Sequence, residues 1–465
     1  MKRGTTDAVM VSRGGAETRR VCPKGRGFVR SKCSTSHAPW PKVKLREVSH
    51  GIYDGPHATP PSCETPGYYF LGIPQVTPAG HIDLANPRYI SRQDYKTWTK
   101  RVVPREGDVV FSYEATLNLY ARIPNGIKCC LGRRMGLVRP DETKLDSRYL
   151  YYYFFSPEWR RTVTENTVVG ATVDRLPIKT FPAFQITLPP LPVQRRIADM
   201  LSAYDDLIEN NRRRIAILEG TARFAYRKWF GGGVVRETRD VRRDKEGRET
   251  IDETHVSRFS SKTPRVSRLS SHAQPKTVPL GEICQSFGGG TPKTGVAEYW
   301  NGDIPWVVPT DVTRNSCLAL LDSERKITAL GLEKSSAKML PANAILMTSR
   351  ASVGYFAIAD FPVCTNQGFI SIVPNDFTWR WYLLFNLMSR VEEIRGNAKG
   401  STFPEISRAR FRSMDIPVPD KESLAAFNDI VTPLMQQVRT LSKQSAALAA
   451  ARDMLLPRLM KGEVA

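Results

Sequence analysis

Two segments of this 465-residue chain carry the same hydrophobic heptad seam, 230 positions apart. Apolar residues recur at alternating spacings of four and three, which is typical of a long helix that packs against another helix. Because two unrelated helices seldom keep one seam phase over about five heptads, we interpret them as copies of one unit. The predicted seam residues are Ile197, Leu201, Tyr204, Ile208, Ile215 and Leu218 in the first helix, and Phe427, Val431, Leu434, Val438, Leu441 and Leu448 in the second.

The repeat extends upstream of both helices. Residues 170–172 (GAT) stand 230 positions before residues 400–402 (GST), and Ser112 matches Ser349 at an offset of 237. Short apolar segments bounded by turn residues predict buried strands in each half. The aromatic run 149–155 predicts a helix packed on the sheet, with a tyrosine-rich strand or a base-stacking surface as alternatives. Each half is therefore expected to be an α/β module followed by one helix.

This pattern divides the chain into six segments. Residues 1–39 form a basic tail that is expected to be disordered, and residues 231–276 form a mixed-charge, serine-rich and arginine-rich segment that predicts a flexible linker. The predicted folded segments are a first module at 40–190, a first spacer helix at 191–230, a second module at 277–420 and a second spacer helix at 421–460.

The charge of the chain favours a polyanionic partner. Its formal net charge is +22, of which only +7 comes from the tail, with nine basic and two acidic residues. The eight cysteines include no Cys-x-x-Cys pair, so we expect reduced thiols and no zinc site. No apolar run reaches the roughly 18 residues of a membrane span, and the N-terminus does not resemble a secretory signal. We therefore expect a cytoplasmic protein.

The chain lacks the sequence motifs of several common catalytic sites. The chain has no Gly-x-x-x-x-Gly-Lys-Ser/Thr phosphate loop, no Asn/Asp-Pro-Pro-aromatic tetrapeptide, and six scattered histidines. We expect a protein without catalytic or metal-binding residues of its own. Two other classes stay open, namely a nuclease or methyltransferase with unrecognised motifs and a coiled-coil scaffold that does not bind DNA.

Several sequence words occur in order and resemble one known family. The resemblance covers residues 40–463 and is to the specificity (S) subunits of type I restriction-modification systems. The matching words are LPPLPVQRRIA at 188–198, LSAYDD at 201–206, RKWF at 227–230, LGEI at 280–283, GGTP at 289–292, EYW at 298–300, DIPW at 303–306, TNQGF at 365–369 and LLPRLMKG at 455–462.

The resemblance implies an α/β protein with two tandem target-recognition domains, related by a pseudo-two-fold axis and separated by two long helices that form an antiparallel coiled coil. Residues 197–229 would make about 50 Å of helix, which spans at most about 15 base pairs. Implied partners are double-stranded DNA, two modification (methyltransferase) subunits, and restriction (endonuclease/translocase) subunits through the complex. No cofactor is implied for this subunit, and S-adenosylmethionine, ATP and Mg²⁺ are expected in the partner subunits.

Arg350 is the first candidate DNA contact, because it follows an apolar strand and a guanidinium can bind a guanine edge at two atoms. A phosphate contact or a structural ion pair is an equal alternative. The offset of 237 equates Arg350 with Tyr113, which is followed by Glu114. Because a carboxylate accepts from a cytosine amine, the two modules are expected to read different bases.

Other candidates lie in corresponding loops of the two modules. Loops on a rigid scaffold often carry function, although turn chemistry or a structural amide explains each of them as well. The candidates are Thr291 and Lys293 opposite His57, Asn366 and Gln367 opposite Arg133 and its neighbour Arg134, and Thr172 opposite Ser401 and Thr402, which are suited to phosphate contact.

Overall fold

The computed structural model describes residues 40–63, 67–84, 86–170, 173–231, 276–400 and 404–463. The predictions for the basic tail and for nearly all of the linker lie outside these residues. Among the helices within these ranges, none has the length and apolarity needed to cross a bilayer.

The first module is an α/β unit whose first and last strands pair with each other. A four-stranded antiparallel sheet has the order β2-β8-β5-β6, and a smaller sheet has the order β4-β3-β7 with β3 parallel to β7. The elements are β1 Lys42–Lys44, β2 Ser49–Asp54, β3 Tyr68–Leu71, β4 Tyr89–Ile90, α1 Arg92–Trp98, β5 Val109–Ser112, β6 Tyr120–Arg122, β7 Cys129–Leu131, β8 Met135–Pro140, α2 Ser147–Tyr153, α3 Pro157–Asn166 and β9 Gln185–Thr187, followed by the long helix α4 Leu191–Phe230.

The second module repeats this topology. Its main sheet has the order β11-β18-β15-β16-β13, its smaller sheet has the order β14-β12-β17, and β10 pairs with β19 as β1 pairs with β9. The elements are β10 Thr277–Pro279, α5 Leu280–Ile283, β11 Cys284–Gly288, β12 Trp300–Val307, α6 Pro309–Thr313, β13 Ala319–Leu320, β14 Arg325–Ile327, α7 Ala329–Glu333, β15 Ile345–Thr348, β16 Phe356–Ala359, β17 Cys364–Thr365, β18 Phe369–Pro374, α8 Arg380–Ser389, α9 Val391–Gly396, α10 Arg408–Arg412 and β19 Asp415–Pro417, followed by the long helix α11 Lys421–Met460.

The aromatic run of the first module is helical and belongs to the core. Tyr149 and Tyr153 in α2 are fully buried. The Tyr149 hydroxyl donates to the Thr187 carbonyl oxygen at 2.9 Å, and the Thr187 amide donates to the Tyr153 hydroxyl at 3.1 Å. The helix prediction is confirmed, and base stacking by these buried rings is wrong because the hydrophobic core already covers them.

Helices α4 and α11 lie antiparallel along each other, 40 residues each. Asp205 in the first half of α4 pairs with Arg452 near the end of α11, whereas Tyr226 near the end of α4 packs on Phe427 near the start of α11, with ring centroids 6.2 Å apart. Pro433 lies inside α11 without ending it. The predicted coiled coil is confirmed.

The predicted seam lies between the two helices. Its apolar side chains leave water on helix pairing, which is the main source of coiled-coil stability. Seven of the seam residues are buried and five are half-buried; the buried ones are Ile197, Leu201, Ile215, Phe427, Val431, Val438 and Leu441, and the half-buried ones are Tyr204, Ile208, Leu218, Leu434 and Leu448.

Polar contacts fix the first module on the start of α4. Gln194 is fully buried, and its side-chain amide donates to the carbonyl oxygens of Lys144 at 2.9 Å and Pro189 at 2.8 Å. Its oxygen accepts from the Asp146 amide at 2.9 Å. Two of these bonds reach the segment between β8 and α2, and the third reaches the turn before α4, so the helix leaves the module in one fixed direction.

The second module is fixed on both helices. The Leu318 amide donates to Glu219 Oε1 in α4 at 2.6 Å, and Lys443 in α11 pairs with Asp360 at 2.9 Å. An aromatic cluster completes this junction: Phe230 packs on Tyr382 at 4.8 Å and on Phe427 at 5.2 Å between ring centroids. The two modules are therefore held on one helical support by different chemistry.

Candidate nucleic-acid interface

Three chain segments meet at one edge of each main sheet. In the first module these are the end of β2, the end of β5 and the start of β8, because β2 and β5 both run antiparallel to β8. The ends of β11 and β15 and the start of β18 meet in the same way in the second module. Most of the predicted candidate residues follow or precede these strand ends, so the fold gathers them into one loop cluster per module.

A glycine allows the close approach of two loops in each cluster. A Cβ atom on Gly289 would lie 2.0 Å from the Asn366 carbonyl oxygen, and one on Gly55 would lie 2.2 Å from the Gly132 carbonyl oxygen. Backbone hydrogen bonds hold these loops at different points in the two modules: the Gly290 amide donates to the Thr365 carbonyl oxygen, and the Gly55 amide donates to that of Met135, both at 2.9 Å. A larger side chain at either glycine would separate the loops.

A hydrogen bond between Thr291 and Gln367 joins the loop after β11 to the loop before β18 in the second module. The Thr291 hydroxyl donates to Gln367 Oε1, and the Gln367 side chain is exposed. Asn366 Oδ1 accepts from the Gly368 amide at 2.9 Å, so that carboxamide supports the turn. Lys293 is exposed, and its carbonyl oxygen accepts from the Trp300 indole at 3.2 Å. DNA contact by these four residues stays a prediction.

Tyr113 does not face the surface. It is 4% exposed, and its hydroxyl donates to the Arg133 carbonyl oxygen at 2.6 Å. Burial raises the pKa of its phenol to about 12. Tyr113 therefore braces the loop that carries Arg133 and Arg134, and its predicted contact with a base is not supported by this geometry.

The predicted equivalence of Tyr113 with Arg350 is wrong by one residue. Isolated antiparallel bridges pair Glu114 with Arg175 and Arg350 with Glu405. Glu114 and Arg350 are thus the structural equivalents, at an offset of 236. The same offset holds in the preceding strands, because Ser112 pairs with Met135 at the start of β8 as Thr348 pairs with Phe369 at the start of β18. Matching Ser112 with Ser349 by residue type therefore placed the two strands one residue out of register.

The remaining charged candidates form local ion pairs. His57 Nε2 lies 3.2 Å from Asp54 Oδ2, and Arg101 Nη1 lies 2.6 Å from Asp54 Oδ1. Arg134 Nε lies 3.4 Å from Glu114 Oε1, whereas Arg133 is exposed. The candidates Thr172, Ser401 and Thr402 lie outside the described residues.

Sequence reasoning missed Arg101, Arg175 and Glu405. Arg175 and Glu405 stand five residues after Gly170 and Gly400, at the same offset of 230. The repeated GAT and GST words therefore contained a signal for them. Arg101 has no such signal, because its position beside Asp54 depends on long-range packing.

No group of three or more His, Cys, Asp or Glu residues in the described ranges is placed to hold a metal ion. The buried thiols of Cys129, Cys284 and Cys364 have pKa values raised by burial, to about 12, 12 and 11 respectively. A raised pKa keeps a thiol protonated at neutral pH and therefore a poor nucleophile.

The fold defines a class of protein: two α/β modules, each with a loop cluster at one sheet edge, mounted on one antiparallel helix pair. Residues 40–219 and 274–448 match the family model described as type I restriction modification DNA specificity domain. The chain belongs to this family, as its sequence words predicted.

Several known proteins are similar to this chain. The MjaIX specificity subunit of the type I restriction enzyme of Methanocaldococcus jannaschii is 37% identical over 177 residues, which are 36% of this chain and 40% of that protein. The HindI specificity subunit of Haemophilus influenzae is 22% identical over 473 residues, covering 91% of this chain and 99% of that protein. The crystal structure of the S subunit of a type I restriction-modification system from M. genitalium has the same fold, with a TM-score of 0.50, 16% identity, and coverage of 92% of this chain and 97% of that one.

Proposed function

We propose that this chain is the non-catalytic specificity subunit of a type I restriction-modification enzyme. Each module reads one half of a bipartite DNA target through its loop cluster. The observation that carries this proposal is the duplication: two equivalent loop clusters stand on one antiparallel helix pair. A single reader would need neither the second cluster nor the rigid connection between them.

The helix pair sets the distance between the two half-sites. Forty residues of α4 make about 60 Å of helix. Gln194 fixes the first module at one end, and Glu219 fixes the second module farther along the same helix. Bases between the half-sites are then spanned without being read, and their number follows from the geometry of the helices.

Exposed apolar residues on the helices support docking of two identical partners. Phe224 in α4 is 50% exposed, and Met454 in α11 is 74% exposed. They are separated by the repeat offset of 230 and so occupy equivalent places on the two helices. Such a surface fits two modification (methyltransferase) subunits, one on each helix. The restriction (endonuclease/translocase) subunits then associate with the complex that these subunits form. S-adenosylmethionine, ATP and Mg²⁺ are bound by these partners, and assembly occurs in the cytoplasm.

The test separates three classes of protein. The assembled complex is expected to bind duplex DNA with an affinity that falls steeply as salt rises, and to methylate one bipartite motif in host DNA. The chain alone, given DNA, S-adenosylmethionine, Mg²⁺ and ATP, is expected to leave DNA unchanged. Activity of the isolated chain would identify an enzyme, whereas absence of DNA binding by the complex at any salt concentration would identify a scaffold.

A further inference from the structure

At one equivalent bridge between two chain segments, the two modules have an acidic and a basic residue in opposite order. In the first module the second residue after β5 is acidic and its bridge partner is basic, namely Glu114 and Arg175. In the second module the order is reversed, with Arg350 after β15 and Glu405 as its partner. Glu114 with Arg175 and Arg350 with Glu405 are called the charged bridge pairs.

The backbone around the two pairs is the same. Leu176 and Ile406 donate their amides to the carbonyl oxygens of Tyr113 (2.7 Å) and Ser349 (3.1 Å) respectively, just before each pair. Just after it, the amides of Ala115 and Ala351 donate to the carbonyl oxygens of Asp174 and Pro404, both at 3.0 Å. The structure thus keeps the backbone of this place constant and changes only the side chains.

A left-handed residue follows each pair. Ala115 has a φ of 67° and Ala351 a φ of 61°, although alanine disfavours this region. The same backbone conformation therefore follows Glu114 and Arg350 in both modules. A strained conformation that recurs at an equivalent place indicates a position fixed for function.

The side chains of the pairs are accessible, and in the second module they lie close to each other. Arg350 and Glu405 are 49% and 47% exposed, and Arg350 Nε lies 3.8 Å from Glu405 Oε2. Glu114 is contacted by Arg134 at 3.4 Å, and Arg175 is exposed beside it. Each pair offers one donor group and one acceptor group to a ligand that approaches the loop cluster.

One base pair matches such a combination. In the major groove, guanine presents the acceptors O6 and N7, which suit arginine, and cytosine presents the N4 amine, which suits a carboxylate. We propose that each charged bridge pair reads one G·C base pair, and that the reversal of charge reverses the orientation of that base pair relative to the two bridged segments. Arg175 and Glu405 are then specificity-determining residues of the same rank as Glu114 and Arg350.

This inference rests on the proposed function, and its test uses the chain assembled with its modification subunits. The bipartite motif is determined by methylation-aware sequencing for the wild type and for the exchange variant Arg350→Glu with Glu405→Arg. We expect one position of one half-site to change from G to C, while the other half-site is unchanged. The isosteric variant Glu405→Gln should relax the preference at that position by on the order of tenfold, and it keeps the test decisive if the exchange variant does not assemble.

A matched control exchanges Arg458 and Glu463, an exposed ion pair at the end of α11 with a separation of 3.7 Å. This exchange should leave the motif unaltered. The inference is overturned if the wild type methylates a bipartite motif and Glu405→Gln methylates it with unchanged preference, or if either half-site of that motif lacks a fixed G·C pair. If the wild type shows no bipartite motif at all, the proposed function itself fails.

Discussion

Arg452 and Asp205 form an ion pair that joins the last turns of α11 to α4 across 247 residues of sequence. Asp205 also accepts a hydrogen bond from the Tyr152 hydroxyl of the first module at 2.6 Å. The carboxylate thus connects both long helices and the first module. Burial beside this carboxylate raises the pKa of Tyr152, which keeps the phenol protonated as a donor.

Replacing this carboxylate is expected to destabilise the protein. Asp205→Ala would leave a largely buried guanidinium with only the exposed Asp453 as an acidic partner. Hydrogen bonds to charged groups contribute more than neutral ones, so we expect a loss of about 2 kcal/mol in the free energy of unfolding. The loss is measured by thermal denaturation. The control Arg213→Ala removes an exposed i,i+4 pair and should change stability by less than about 0.5 kcal/mol; equal effects of the two variants would contradict the prediction.

Glu219 is expected to make stability depend on pH. Burial raises its pKa above the usual 4.5. Because the folded state then binds a proton more readily than the unfolded state, the stability from this group is full below about pH 4.5 and is lost as the pH rises through the folded value. Glu219→Gln should therefore be at least as stable as the wild type at pH 7, and its advantage should shrink on acidification.

Glu209, ten residues before Glu219, provides a control because its pKa is shifted in the opposite direction. Hydrogen bonds from Arg212 lower the pKa of Glu209 to about 2. Its contribution is present above its unfolded pKa and is lost as the pH falls towards about 2. Glu209→Gln should thus be slightly destabilising at pH 7, with the difference vanishing at low pH. Parallel pH profiles of the two Gln variants would disprove both assignments.

Gly289→Ala should impair DNA binding without unfolding the chain. The added Cβ would meet the Asn366 carbonyl oxygen at 2.0 Å, so the loop after β11 and the loop before β18 must move apart. We expect a loss of about tenfold or more in the affinity of the assembled complex for its target, comparable to one mismatched base pair. The control is Gly295→Ala, where nothing lies within 4 Å of the added atom. Unchanged affinity of Gly289→Ala would show that the junction of these loops does not matter for recognition.

Charged residues at the two exposed apolar positions should remove one partner each. Phe224→Asp and Met454→Asp would each place a carboxylate in an apolar contact. Native mass spectrometry of the complex is expected to show one modification subunit with either variant and none with the double variant. Leu330→Asp, at an exposed position of the second module, should keep both subunits. Two bound subunits in the double variant would place docking elsewhere.

The sequence revealed those parts of the structure that depend on local periodicity. The seam from Ile197 to Leu218 and its copy from Phe427 to Leu448 predicted the coiled coil because a helix repeats its contacts every seven residues. The loop clusters were predicted as groups, since their residues flank strand ends.

The roles of single residues depend on pairing between distant segments, which periodicity does not report. Tyr113 was predicted to contact DNA, but it is buried, and its hydroxyl donates to the Arg133 carbonyl oxygen. The bridges that equate Glu114 with Arg350 join segments more than fifty residues apart. A sequence match that is one residue out of register assigns the wrong bridge partner without disturbing any local pattern.

The ion pair between the two long helices and the aromatic cluster beside the second module respond differently to the solvent. Salt screens the Asp205–Arg452 attraction, although partial burial limits the effect, and strongly hydrated anions such as sulfate strengthen the packing of Phe230, Tyr382 and Phe427. Cooling weakens the aromatic contacts and leaves the ion pair nearly unchanged. Because the second junction also contains the Lys443–Asp360 ion pair, added salt acts at both ends of the helix pair, whereas cooling acts mainly on the aromatic cluster of the second junction.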